Sequence, residues 1–125
     1  MNGLLLDTHA LLWGLGEVDR LSPAAREVLS AGVIPAHVSA ASIWEIAIKQ
    51  ASGKLHAPED LLSRIAAAKF DELAVSFRHA MTAGALPPHH GDPFDRMIVA
   101  QAQCEGLTVV TRDGRIAAYG VPVLW

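Results

Sequence analysis

Five short apolar runs separated by helical patterns restrict this chain more than any other feature. The runs are GLLLD (3–7), IPAHV (34–38), ELAV (72–75), LTVVT (107–111) and VPVLW (121–125). Each is short for a helix and reads as a strand, and several are apolar on both faces, as strands covered by layers on either side are. Helix punctuation fills the gaps. Ser22-Pro23 opens a helix that Gly32 closes. Ser39 opens AASIWEIAIKQAS, closed near Gly53, and Pro58 opens PEDLLSRIAAA. Ser76 opens FRHAMTAG, and Asp92 opens a helix ending at Gly106. These are N-cap hydroxyls and acids, prolines in first turns and closing glycines. Strand-helix alternation of this kind predicts an α/β fold with a largely parallel sheet, helices on both faces and right-handed crossovers. The 125 residues form one domain over 1–125, with no repeat, linker or low-complexity segment. The proline-rich LPPHHGD (86–92) is the segment expected to be mobile at the surface.

Composition narrows the class. Hydrophobic residues make up 51% and charged residues 18%, which points to well-covered strands or a buried interface between two copies. The net charge of -3 supplies no basic field, so any contact with nucleic acid has to come from a local patch. Cys104 stands alone, which excludes an internal disulfide framework and suits a reducing cytoplasm. Its apolar helical surroundings predict a buried, unreactive thiol. No apolar run approaches the roughly 20 residues that span a bilayer, and MNGLLLDTH has no export signature, so no membrane role is expected.

In open parallel sheets the working site lies beyond the carboxyl ends of the strands, so the acids after each apolar run carry the chemistry. Asp7 ends the first run, and Asp113 follows the fourth. Glu45 lies inside SIWEIAIK, in the helix after the second run, and Asp95 sits one turn into its helix. Each also has an ordinary explanation. Asp7, Asp92 and Asp113 suit helix caps, Pro93 suits the first helical position, and Asp95 complements a helix dipole. Glu45 stands four residues before Lys49, a surface pairing distance. Yet Ile43, Trp44, Ile46, Ala47 and Ile48 leave Glu45 little solvated face. Carboxylates gathered within a few ångströms repel one another, and one must take a proton unless a cation supplies the missing charge. Oxygen-only donors select hard ions such as Mg²⁺ or Mn²⁺, which bridge to phosphate oxygens and activate water for attack on a phosphodiester.

Other residues say less. His89 and His90 lack the spacing of a paired zinc motif and read as solvated loop residues. His9 lies two positions after Asp7, where a packing or hydrogen-bonding role is usual. Trp13, Trp44 and Trp125 read as core or interface rather than a base-stacking platform. The LLSRIAAA stretch is expected to pack on the core, with a partner surface as the alternative.

The LLLDTHALLW opening, SIWEIAIKQASGKL, HGDPFDRMIVAQA and LTVVTRD, in this order, resemble the PIN-domain ribonucleases, specifically VapC-type toxins of type II toxin-antitoxin pairs. The resemblance covers nearly the whole chain. It implies a PIN-like three-layer sandwich with a parallel five-stranded sheet flanked by helices. It also implies an endoribonuclease that inhibits translation by cutting tRNA or other structured RNA, a homodimer, and an inhibitory VapB-like antitoxin. The family's acidic quartet for Mg²⁺ or Mn²⁺ falls on Asp7, Glu45, Asp95 and Asp113. Asp92 matches a further recurrent acid and Thr111 the hydroxyl near the last acid. Arg96 and Arg112 match flanking basic positions; with Arg115 and Lys49 they are the expected contacts to RNA phosphates. Two other readings stay open: a PIN-like scaffold that binds without cutting, and a phosphatase using Asp7 as nucleophile. The second is weakened because His9 stands where such phosphatases carry another Asp.

Overall fold

The computed structural model describes residues 1–125. The chain runs β1 (Leu4–Leu6), α1 (Thr8–Gly16), a 3-10 turn (Val18–Arg20), α2 (Pro23–Ala31), β2 (Ala36–Ser39), α3 (Ala40–Ala51) and α4 (Leu61–Ala67). It continues with β3 (Asp71–Leu73), α5 (Phe77–Ala85), α6 (Pro93–Glu105), β4 (Thr108–Val110), α7 (Gly114–Ala117) and β5 (Val123–Leu124). All five strands pair in parallel, in the order β3-β2-β1-β4-β5. The fold is α/β, as the alternation of apolar runs requires.

Successive residues of a strand face opposite sides, and β1 shows what that does here. Leu4 and Leu6 join a core with Leu11 of α1, Ala25 of α2 and Ile46 of α3. Leu5 points the other way, to Ile98, Val99 and Ala102 of α6 and Ile116 of α7. All three leucines are fully buried. The sheet therefore has a helical layer on each face, and β1 needs apolar side chains on both.

The expected caps are made. Ser22, Ser39 and Ser76 accept from Ala25 N, Ala41 N and His79 N, and His79 completes a capping box by accepting from Ser76 N. Gly32 and Gly106 close α2 and α6 at φ 65° and 67°, the left-handed region that suits glycine. Some boundaries moved. α4 begins at Leu61 rather than Pro58, because the Asp60 carboxylate is drawn to Arg64 Nε at 2.9 Å instead of capping. α4 also fails to sink into the core: Leu62 is 67% exposed, and only Leu61 and Ile65 pack against it. β3 shortens to Asp71–Leu73 at the sheet edge, with Asp71 and Glu72 exposed. No helix is long and apolar enough to cross a membrane.

The strand order also locates the site. From β1 the chain builds outward through β2 to β3, then returns to the other side of β1 to add β4 and β5. The order reverses between β1 and β4, and crevices in such sheets open at the carboxyl ends of strands at that point. Asp7 follows β1 there, and Thr111 and Asp113 follow β4.

Candidate active site

A cleft of about 500 Å³ opens at this point. Asp7, Glu45, Asp92, Asp95 and Asp113 face it, with Lys49, Arg112 and Arg115 as the only cationic groups of its wall. The expected acids, from four separate stretches of the chain, thus meet in one place.

Asp7 is 7% exposed and does two jobs. Its Oδ1 caps α1 by accepting from Ala10 N at 2.8 Å. Its Oδ2 accepts from Thr111 Oγ1 at 2.6 Å, across 104 residues of chain. The same Thr111 oxygen accepts from Asp113 N at 2.9 Å, so one hydroxyl orients two acids. Burial raises the Asp7 carboxyl above its usual range, and the Thr111 hydrogen bond opposes the rise. Glu45, 5% exposed, is held on both oxygens: Thr8 Oγ1 donates to Oε1 and Lys49 Nζ to Oε2. The Glu45 hydrogen bond raises Lys49 in turn.

Asp92 caps α6, its Oδ1 accepting from Phe94 N at 2.8 Å and Asp95 N at 3.2 Å. Asp95, in the first turn, turns into the cleft. Burial first, and the negative charge of Asp92 second, push its carboxyl up to about 7. Asp113 goes the other way, down to about 2, because Arg115 donates to both of its oxygens.

His90 joins the two. It is 4% exposed, and its Nε2 lies 3.0 Å from Oδ2 of both Asp95 and Asp113. Asp92 N donates to the ring's Nδ1 at 3.1 Å, which places the ring proton on Nε2, aimed at the carboxylates. The three residues have the compactness of a metal site, with ligand atoms within 4.8 Å of one another. A protonated Nε2 is a donor, however, so His90 positions the acids and leaves ligation to their oxygens. The solvated loop expected for both histidines thus holds only for exposed His89. A local signal for half of this exists that the solvated-loop reading missed, since a histidine two residues before an N-cap can take the cap's N–H. The link to Asp113, 23 residues on, has no such signal.

The loop at 86–92 is pinned rather than mobile. Arg96 supplies the pin: its guanidinium donates to the carbonyls of Ala83, Leu86, Pro87 and His90, and to the Tyr119 hydroxyl. Tyr119 donates to Pro87 O and accepts from His90 N. Arg96 is therefore absent from the cleft wall, with both terminal nitrogens committed, and the expected phosphate contact is corrected to a structural clasp. Arg115 and Lys49 line the cleft but are paired with Asp113 and Glu45. Arg112 lines it beside Trp13 with no carboxylate partner of its own.

The tryptophans divide. Trp13 is 6% exposed and packs on Trp125. Trp44 is 64% exposed, its ring edge-on to Phe94 on the outer surface. Cys104 is half-buried, beside Thr82 Oγ1.

A helix-flanked parallel sheet with carboxylates gathered at its switch point defines a class, and the PIN-domain profile matches residues 4–122. The chain belongs to the PIN-domain family. Within that family it is similar to Ribonuclease VapC22 of Mycobacterium tuberculosis, 33% identical over 98% of this chain and 95% of that protein. Its fold is similar to that of the DNA-bound VapBC of Salmonella typhimurium, with a TM-score of 0.72 at 21% identity over 99% and 98% of the two chains. A toxin-antitoxin complex from Klebsiella pneumoniae gives 0.66 at 22% identity over 98% and 97%.

Proposed function

We propose that the chain is a metal-dependent endoribonuclease, the toxin of a toxin-antitoxin pair acting in the cytoplasm. The observation that carries the reading is the meeting of Asp7, Glu45, Asp95 and Asp113 in one cleft. The donor chemistry fits a hard divalent ion. All four offer carboxylate oxygen, five acids outnumber three bases in the cleft wall, and burial together with the negative charge of Asp92 pushes Asp95 up to about 7. Mg²⁺ or Mn²⁺ held by this quartet would supply an activated water and offset charge on the leaving oxygen of an RNA phosphodiester.

The chain's own groups prepare the site. Thr111 and Thr8 fix the oxygens of Asp7 and Glu45, and His90 Nε2 stands between Asp95 and Asp113, 3.0 Å from an oxygen of each. Lys49 balances Glu45, Arg115 balances Asp113, and Arg112 is free for a substrate phosphate. tRNA or another structured RNA is the substrate class, with inhibited translation as the consequence. The similarity to a protein named a ribonuclease supports the activity, and similarity to VapBC complexes supports a VapB-like antitoxin. The exposed Trp44, Phe77 and Met81 give such a partner, or a second copy in a homodimer, apolar surface to cover.

The test is incubation of the purified, antitoxin-free protein with total cellular RNA in Mg²⁺, in Mn²⁺ and in EDTA, beside Asp95→Asn. Discrete fragments that need metal and vanish in the variant are expected. Binding without cleavage under every condition would favour the non-catalytic scaffold instead.

A further inference from the structure

Trp13 is the one apolar side chain in a cleft otherwise walled by charged and polar groups. The exposed His9, one helical turn before it, covers it: the rings are stacked, with centroids 5.5 Å apart and planes 13° from parallel. The guanidinium carbons of Arg20 and Arg112 lie 4.7 and 4.9 Å from the Trp13 centroid. Trp125 buttresses the indole from the core at 5.9 Å. The scaffold thus holds an imidazole flat at the cleft, beside Asp7 and beside an arginine without a carboxylate partner. Toward the acids, His9 contributes only the electrostatic effect it has on Asp7. Neither Trp13 nor Arg20 hydrogen-bonds to one of the four, and His9 lies outside their hydrogen-bonded network.

We infer that His9 and Trp13 form a nucleobase subsite, in which a base flanking the scissile phosphate stacks on the outer face of His9 while Arg112 takes an adjoining phosphate. The inference rests on the nuclease reading above and adds a substrate requirement to it. Bases stack on aromatic rings regardless of sequence, because every base presents a π-face, so the subsite favours a base over no base rather than one base over another. A base inside a duplex has both faces covered, so the subsite also selects a nucleotide that is unpaired or splayed out. The rigid backing matters, because a ring already fixed by Trp13 loses little freedom when the base arrives.

The experiment is equilibrium binding in EDTA, where no cleavage intervenes, read by fluorescence anisotropy. The probes are a labelled oligouridylate and a strand of equal phosphate number with abasic riboses throughout. The wild-type protein is expected to bind the base-bearing strand on the order of tenfold more tightly. His9→Ala should lose that preference while binding the abasic strand as before, and His9→Phe should retain it. His9 is exposed, so neither change threatens the fold. A His9→Ala protein that keeps the preference, or weakens on both strands alike, overturns the subsite alone. A wild-type protein that binds neither strand overturns the subsite, and the nuclease reading falls with it only if the protein also fails to cleave RNA in Mg²⁺ and in Mn²⁺.

Discussion

The cleft has an inner half and an outer half, built on different terms. The inner acids, Asp7 and Glu45, are 7% and 5% exposed and are held by groups on or beside regular elements: a backbone N–H of α1, hydroxyls at the start of α1 and just after β4, and an ammonium one turn along α3. The outer acids, Asp95 and Asp113, depend on a loop histidine and a surface arginine. Two aspartates that share one imidazole therefore differ sharply, one pushed up to about 7 and the other down to about 2. Residue type does not set the charge state here. Arg115 reaches Asp113 with two donors, while Asp95 has Asp92 for a neighbour and is more deeply covered.

If both halves serve one metal, neutralising either abolishes cleavage. Asp7→Asn, Glu45→Gln and Asp95→Asn should each lower kcat/KM by at least ~1000-fold on a defined RNA, with the far-UV spectrum unchanged. A Glu45→Gln enzyme within tenfold of wild type would confine the chemistry to the other acids. The supporting groups come next. His90→Ala and Thr111→Val should each weaken Mn²⁺ affinity or activity by roughly 10–100-fold, as loss of groups that orient metal ligands does. Calorimetric titration of Mn²⁺ without RNA checks this, and equal affinity in His90→Ala would leave the outer half organised without its histidine.

Arg96 sharpens the comparison, because the outer half hangs on the loop it clasps. Arg96→Ala should destabilise the protein by about 1–3 kcal/mol, seen in chemical denaturation, since partly buried carbonyls lose charge-assisted donors. Arg112→Ala should leave stability within about 0.5 kcal/mol and weaken RNA binding only.

The smallest effect concerns the two outer aspartates in metal-free protein. A folded pKa raised to about 7 means that Asp95 detracts from stability increasingly as pH rises from about 4, the unfolded value, through 7. Asp95→Asn should therefore melt a few degrees above wild type at pH 8 in EDTA, the gap closing toward pH 4. Asp113, lowered to about 2, contributes stability above about 4 that is lost as pH falls through 2. Asp113→Asn should melt below wild type at pH 8. Shifts of the same sign in thermal melts would erase the distinction between the two.

The sheet and the acids were legible because both are marked locally. An apolar run ends where an acid begins, and caps announce the helices that carry Glu45 and Asp95. The outer half's supports were not legible. Arg96 binds backbone carbonyls, which leave no trace in sequence, and His90 meets Asp113 only after β4 has docked beside β1. The pairing of His9 with Trp13 was not legible either, because only the fold turns that face of α1 to the cleft. For Trp44 the sequence left core and interface both open, and only the fold excludes the core, since its side of α3 faces outward with Ile48 also 44% exposed.

The Asp7–Thr111 bond joins residues made at very different times. At roughly 5–20 residues per second, the 104 positions between them take a ribosome about 5–20 seconds to translate. During that interval β1 has no β4 beside it, and Asp7 has neither its hydroxyl donor nor the fourth acid. Until then the growing chain holds only part of the acid cluster, and the four carboxylates can meet only after Asp113 has been added and β4 has docked beside β1.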